Sequence, residues 1–400
     1  MKKNNLWCPL AFNGILSNVE GRYGTCCWAS SNAKEYDTGE NITRNMYTLE
    51  EAFNHKYFLD IRNNLKNGIR DKNCDQCWRE ENAGIESLRL REIKRLTDLS
   101  DNEDIQYIDL ALGNQCNLKC RSCNSNDSSA LIKEFYDVYE EPKKESFSVY
   151  KKSRIFLEST NTKFIHDLKE DTLKKTKYLS FFGGEPFLMK STYDILEHAV
   201  KIEVAQNINL VFDTNTTFWN SKIEFILESF KTSTIRLSID DLYERFEYLR
   251  YPAKWNLVLK NIDSIVSWRD KNVDQRKILI TATISAYNIF YISELIWFAE
   301  SKNLDIVLVP ASDPDFITLE YIPTSLKIKL KERLQLSNFS IKNIDVQTNK
   351  IISYLESDCP DESWKYFQEE VKKRDSYRKQ DFSQTFKEYY IFLKNYNLNF

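Results

Sequence analysis

Glycine is scarce in this chain: nine residues in 400, and none after Gly184. Turns in the later half must therefore fall to Asn, Asp, Ser and Pro, each of which favours turns through its own side chain or ring. That scarcity makes the adjacent pair Gly183-Gly184 informative. Long apolar runs are missing as well. No window approaches the ~20 consecutive apolar residues of a membrane-spanning helix. The N-terminus, MKKNNLWCPL, has two lysines but no apolar h-region, so neither a membrane partner nor a secretory signal is expected. No one sign of charge dominates: 56 Lys and Arg stand against 59 Asp and Glu, a formal net charge of −3. This excludes both the basic footprint of a nucleic-acid binder and an acidic solvating tail. The 22 Tyr and 24 Phe are spread along the chain rather than clustered into a base-stacking platform. There is no internal repeat and no low-complexity tract. The expectation is a soluble, cytoplasmic protein, and in a reducing compartment clustered cysteines bind metal or do chemistry rather than form disulfides.

What is present divides into three regions. Residues 1–100 hold five of the nine cysteines and few long periodic runs. "CPLAFNGILSNVEGRYGTCCWAS" reads as a short hairpin, with apolar residues around Ile15 and Leu16 and a return from Tyr23 to Trp28. "TLEEAFNHKYFLDIRNNLKNG" reads as one amphipathic helix, with Thr48 as N-cap, Glu51 completing a capping box and Gly68 as C-cap. Residues 101–312 alternate short apolar runs with helical stretches. The runs are 105–112, 177–182, 208–213, 234–239, 277–284 and 305–310. Trp255, Val258, Leu259, Ile262, Ile265 and Val266 trace the apolar stripe of one intervening helix. Six strand–helix units in succession predict an α/β fold with a parallel sheet, doubly wound or curled toward a barrel. A charged helical insertion is expected within 124–176. Residues 313–400 read as a helical extension, most of whose charges are solvated faces.

The sharpest local signal is "GNQCNLKCRSCNS". Cys116, Cys120 and Cys123 stand at C-x3-C-x2-C spacing, on the loop after the first strand of the alternating series. In parallel α/β folds, loops after the C-terminal ends of strands build the sites. Three thiolates on one short loop suit three irons of a [4Fe–4S] cube, with the fourth iron open to a ligand. A structural zinc normally requires four protein ligands, and His166, the histidine nearest in sequence, has no motif relation to the loop. The second strand runs into "FFGGEPFL". There Gly183 and Gly184 permit close backbone approach, and Glu185 places a carboxylate at the same rim.

On these two motifs together, the chain resembles the radical SAM superfamily. The resemblance implies a partial (β/α)6 TIM-like barrel that binds S-adenosyl-L-methionine (SAM) through the open iron of a [4Fe–4S] cluster on Cys116, Cys120 and Cys123. It implies cofactor-binding roles for Gly183, Gly184 and Glu185, with Glu185 holding the methionine amino group. Ser238 and Asp240, in "RLSIDD", fall where relatives make polar contacts to the methionyl carboxylate and ribose. Asn215, in "VFDTNTT", and Arg250, in "FEYLRYPAKW", are assigned to the same pocket. Each of these four also has a plain reading as a capping or turn residue. Ser122 departs from the pattern, because many members carry an aromatic there that contacts the adenine. The backbone of "TATIS" or "VLVP" would then hold the adenine.

The N-terminal cysteines resemble a second pattern. Cys8, twelve residues, Gly21, four residues and Cys26 are similar to the auxiliary-cluster modules called SPASM or twitch domains, here placed before the barrel. The resemblance implies that Cys74 and Cys77 complete four ligands for a second, auxiliary [4Fe–4S] cluster. Zinc is the alternative, since four cysteines in this form also suit it. Cys27 competes with Cys26, and the spacing favours Cys26. Cys359 reads as a passive thiol, and His55, His166 and His198 as surface or core residues of helical stretches.

The implied activity is reductive cleavage of SAM to a 5′-deoxyadenosyl radical that abstracts hydrogen from a substrate C–H bond. A reductase, flavodoxin or ferredoxin would donate the electron, and oxidation or epimerisation would follow on a small metabolite, a sugar or a peptide. The first cysteine, at position 8, leaves little room upstream for a leader-peptide-binding domain, which tilts the expectation toward a small molecule or a leader-independent substrate. The alternatives are a non-catalytic zinc or iron–sulfur scaffold and a radical SAM-fold methyltransferase. No catalytic hydrogen or proton donor is assigned.

Overall fold

The structure is a computed structural model that describes residues 5–29, 33–100, 102–139, 168, 170–335, 337, 339–342, 344–359, 362–396 and 398. Residues 140–167 and 169 of the expected insertion, His166 among them, lie outside the described residues, as do Asp101, Glu140 and Glu141.

Each short apolar run forms a strand, because alternate residues along it are buried against helices on the outer face of the sheet. In chain order the strands are β1 (Gly14–Ser17), β2 (Tyr23–Gly24), β3 (Tyr107–Ala111), β4 (Tyr178–Phe182), β5 (Asn209–Thr214), β6 (Thr232–Ser238), β7 (Arg276–Ile284) and β8 (Asp305–Pro310). They make one open sheet in the order β2-β1-β3-β4-β5-β6-β7-β8. β3 to β8 are all parallel, which gives the six-stranded α/β core expected from the alternation. The N-terminal hairpin forms as expected, with β1 antiparallel to β2. It also does something the sequence reading omitted: β1 pairs in parallel with β3, from Gly14↔Tyr107 to Ser17↔Leu110, and so extends the core sheet. Helices pack outside the sheet. Trp255, Val258, Ile262 and Ile265 of Trp255–Asp270 are buried, as their spacing predicts.

The stretch read as one helix over 48–68 is two, Leu49–Phe53 and Lys56–Lys66. Thr48 and Glu51 form the expected capping box, and Gly68 follows the second helix at φ +74°. The break falls at His55, whose ring Nδ1 accepts from the Tyr57 N–H at 3.2 Å and whose Nε2 meets Glu35 at 3.1 Å. This side chain caps a new helix rather than continuing the old one. The C-terminal extension is helical, with Thr324–Gln335, Ile344–Leu355, Ser363–Arg378, Phe382–Thr385 and Lys387–Lys394. Helix Ile344–Leu355 covers the sheet edge at β8: the Gln347 side chain accepts from Leu308 N–H at 2.7 Å and donates to the Ile306 carbonyl at 2.8 Å. A glutamine amide thus stands in for a ninth strand and blunts the edge. No helix among the described residues is long and apolar enough to cross a membrane.

Candidate functional site

The cysteine loop leaves the C-terminal end of β3 and is held from three sides. The Lys119 N–H donates to the Tyr251 carbonyl at 2.6 Å and the Arg121 N–H to the Leu249 carbonyl at 2.8 Å. The Ser128 hydroxyl donates to the Leu118 carbonyl at 2.6 Å. After Cys123, the Asn124 side chain accepts from the N–H groups of Asn126 and Asp127, turning the chain back. The turn after β4 explains its glycines. Gly184 has φ +53°, and a Cβ there would lie 2.4 Å from the Gln115 carbonyl oxygen. Only glycine lets the Glu185 N–H reach that carbonyl at 2.8 Å, so the glycine pair brings the Glu185 strand end against the cysteine loop.

Glu185 is fully buried. Its carboxylate accepts from Thr214 Oγ1 at 2.9 Å, the Asn215 N–H at 2.6 Å and the Phe187 N–H at 3.2 Å. Among the described residues no cation lies within ion-pair distance of it. Burial pushes its carboxyl up to about 7, and the hydrogen bonds only partly offset this. Asn215 links this acid to the cysteines, because its Nδ2 donates to Asn117 Oδ1 at 2.9 Å and lies 3.8 Å from Cys116 Sγ. On the opposite flank, Arg250 pairs with Asp240 at 2.8 Å and lies 3.9 Å from Cys120 Sγ. Asp240 also accepts from the Thr283 N–H at 2.8 Å. Burial pushes the Cys120 thiol up to about 12 against the opposing pull of Arg250. Burial likewise holds Cys123 well above the usual thiol range.

The fold therefore brings Cys116, Cys120, Glu185, Asn215, Asp240 and Arg250 into one connected rim, with Gly183 and Gly184 making the approach possible. Ser238 is the last residue of β6, half-buried beside Thr281 of β7. Among the described residues its hydroxyl does not join the hydrogen-bonded set. Thr214 and Asn117, unremarked in the sequence, do belong to it. So does helix Ser363–Arg378: Lys365, Glu369 and Lys372 are exposed, as expected for most charges of the extension, but Glu370, Arg374 and Arg378 are buried. Arg374 donates to the Arg121 carbonyl at 3.2 Å and Arg378 to the Lys119 carbonyl at 2.7 Å, one on each side of Cys120. Nothing in the local sequence marks these two arginines, since their partners are backbone atoms of a distant loop.

Cys8, Cys26, Cys74 and Cys77 line a second small cavity, floored by Leu65, Trp78 and Leu88. Burial, then the neighbouring Cys26, raises Cys8 to about 12, and burial raises Cys26 to about 11. The protein alone thus keeps these thiols protonated, and only a bound cationic centre would draw four thiolates together. Among the described residues no three His, Cys, Asp or Glu side chains stand close enough to grip a single ion. Tetrahedral zinc, with Zn–S near 2.3 Å, would hold its sulfurs roughly 3.8 Å apart. The neighbouring Cys27 is exposed and lies toward the sheet. Cys359 donates to the Tyr321 carbonyl at 3.6 Å, far along the chain.

Residues 110–282 match the family model described as the Radical SAM superfamily. The radical SAM cyclopropyl synthase TigE of Paramaledivibacter caminithermalis is 24% identical over 226 residues. That match covers 55% of this chain and 44% of TigE, so the chain spans less than half of this curated relative. Among solved structures, anSMEcpe with bound AdoMet and Kp18Cys peptide is 14% identical, with a TM-score of 0.42 covering 60% of this chain and 64% of its own. Streptococcus suis SuiB bound to precursor peptide SuiA is also 14% identical, with a TM-score of 0.34 covering 72% and 61%. Residues 110–282 are thus a radical SAM domain, set in an open eight-stranded α/β sheet.

Proposed function

We propose that this chain is a radical SAM enzyme that abstracts hydrogen from a substrate C–H bond, with Cys116, Cys120 and Cys123 holding a [4Fe–4S] cluster. The observation that carries the reading is Glu185: a fully buried carboxylate without a cation partner among the described residues, one asparagine away from Cys116. A buried acid of this kind calls for a positive ligand, and the methionyl ammonium of SAM is one. Glu185 would receive that ammonium, Thr214 and Asn215 fix the carboxylate plane, and the Arg250–Asp240 pair orients the polar end of the ligand, with Ser238 at the same rim. When bound, the reduced cluster supplies the electron that cleaves SAM into methionine and a 5′-deoxyadenosyl radical. The buried rim keeps water from the site.

Cys8, Cys26, Cys74 and Cys77 would hold an auxiliary [4Fe–4S] cluster of the twitch or SPASM kind, on a module spanning 1–100 beside a core over 101–312 and an extension over 313–400. Electrons would come from a flavodoxin, a ferredoxin or a reductase. The substrate is a peptide or a small metabolite. The peptides bound to anSMEcpe and SuiB are consistent with the peptide.

Anaerobic reconstitution with iron and sulfide, followed by reductant and SAM, tests this. The expected result is 5′-deoxyadenosine from the native chain and its loss in Glu185→Gln. A chain that takes up iron but yields no 5′-deoxyadenosine would be a scaffold. S-adenosylhomocysteine as the main product would make it a methyltransferase.

A further inference from the structure

A cavity of ≈ 190 Å³ lies between the N-terminal cysteine quartet and the inner face of the sheet. Cys26 lines both it and the quartet's cavity. Strand alternation places Asp109 of β3, Ser180 of β4, and Asp213 and Arg236 of β5 and β6 on this inner face. Asp109 is the register partner of Ser180, and Asp213 of Arg236. The opposite wall is helix Leu88–Arg95, which contributes Arg91, Glu92 and Arg95.

Three acids and three arginines meet here, but they are not evenly paired. Arg236 serves Asp213 at 3.4 Å. Glu92 takes two arginines, Arg95 at 2.6 Å and Arg91 at 3.7 Å. Asp109 is left over: among the described residues no Lys, Arg or His lies within 4.0 Å of its carboxylate, and its close polar neighbour is Ser180. Burial raises its carboxyl to about 6, against the pull of Ser180 and the more distant Arg236. The Cys27 thiol lies within electrostatic reach of both Asp109 and Arg91, on the side facing the quartet.

We propose that this cavity binds a small ammonium-bearing part of the substrate, with Asp109 accepting its charge and Cys27 lining the wall beside it. The inference rests on the reading of the chain as a radical SAM enzyme, whose substrate must sit inside the sheet near the cysteine rim. A protonated amine gives Asp109 the partner that the other two acids already have, whereas a hydroxyl would leave its charge uncompensated. The cavity is small, enough for the end of an amino-alkyl chain but not for a whole peptide.

The test measures binding of propylammonium, 1-propanol and propionate to the full chain by ligand-observed NMR, before and after anaerobic reconstitution. Propylammonium should bind saturably and the two isosteres should not. Asp109→Asn should weaken propylammonium at least tenfold, in line with a charged hydrogen bond. Cys27→Trp, at an exposed position, should fill the cavity from the other wall and block the amine even if Asp109→Asn misfolds. Equal amine binding by Asp109→Asn, preference for propionate or propanol, or no saturable amine binding would overturn the proposal. Amine binding is read in the iron-free chain too, so its failure is distinct from a failure to form 5′-deoxyadenosine.

Discussion

The Arg378 guanidinium donates to the Lys119 carbonyl at 2.7 Å, immediately before Cys120, across 259 residues of chain. Its other side pairs with Glu134 at 2.7 Å, and both side chains are almost fully buried. Four residues earlier on the same helix, Arg374 holds the Arg121 carbonyl. The Arg121 side chain in turn enters the extension, where it pairs with Asp375 and donates to Gln380 at 2.9 Å while lying 3.7 Å over the Tyr248 ring. The C-terminal helix therefore holds the carbonyls of the two residues on either side of the middle cysteine.

Arg378→Ala should cost about 3 kcal/mol of stability, because it leaves the buried Glu134 carboxylate with just the longer contact to Lys119 at 3.7 Å. The hold on the Lys119 carbonyl goes with it, so iron per chain after reconstitution should fall as well. Glu134→Gln with Arg378→Met removes the buried charge and should recover much of the stability, but not the hydrogen bond to the Lys119 carbonyl. Urea melts and iron content of the three proteins separate the two effects.

Gly184→Ala should destabilise the chain by roughly 1–3 kcal/mol and reduce iron binding at Cys116, Cys120 and Cys123. The new methyl would press on the Gln115 carbonyl at 2.4 Å, in a backbone region that L residues avoid. Gly39→Ala is the control. It has a similar φ of +70° but open space around it, so it should cost only about 1 kcal/mol and leave iron binding unchanged. Thermal melts and iron assays on both variants check this.

Burial holds the Glu185 carboxyl at about 7 in the folded chain, above the ordinary ~4.3 of an exposed glutamate. Between those values the folded state binds more protons than the unfolded one, so this group's contribution to stability falls as pH rises through that window. Ligand binding runs the other way. A SAM ammonium needs the ionised carboxylate, so SAM affinity should rise as pH climbs from about 6 to about 8 and then level off. Glu185→Gln should bind weakly with no such rise. Equilibrium dialysis of SAM across this range reads both curves.

The strands were legible because each parallel strand is a short apolar run, and β7 falls within one residue of its sequence bounds. That the cysteine loop and the Gly183-Gly184-Glu185 turn meet at one rim was legible because local spacing marks both loops. Thr214 was not, since a threonine at the end of a strand looks like any other β-branched strand residue. Arg374 and Arg378 did not stand out among the charges of the extension, because charge at helical spacing carries no mark of a backbone partner elsewhere in the chain. The helix break at His55 was hidden for the same reason: its imidazole is set by Glu35, twenty residues away, and not by the helix it interrupts.

Cys26 and Cys27 are neighbours in sequence with different surroundings, and this gives a clean test of the second metal site. Cys26 is half-buried and lines the cavity of Cys8, Cys74 and Cys77, whereas Cys27 is exposed and lines only the cavity against the sheet. With Cys116, Cys120 and Cys123 all changed to Ala, a chain with an auxiliary [4Fe–4S] cluster should retain about four irons. Adding Cys26→Ala should remove that iron, because one of four ligands is lost and the remaining thiols are held protonated by burial. Adding Cys27→Ala instead should leave it in place. Equal loss in both variants would mean that Cys27 ligates, and zinc with no iron in the triple variant would replace the cluster with a single-ion site. Elemental analysis and ultraviolet–visible spectra of the three proteins decide among these outcomes, because the charge-transfer bands of iron–sulfur bonds are absent from a zinc–thiolate site.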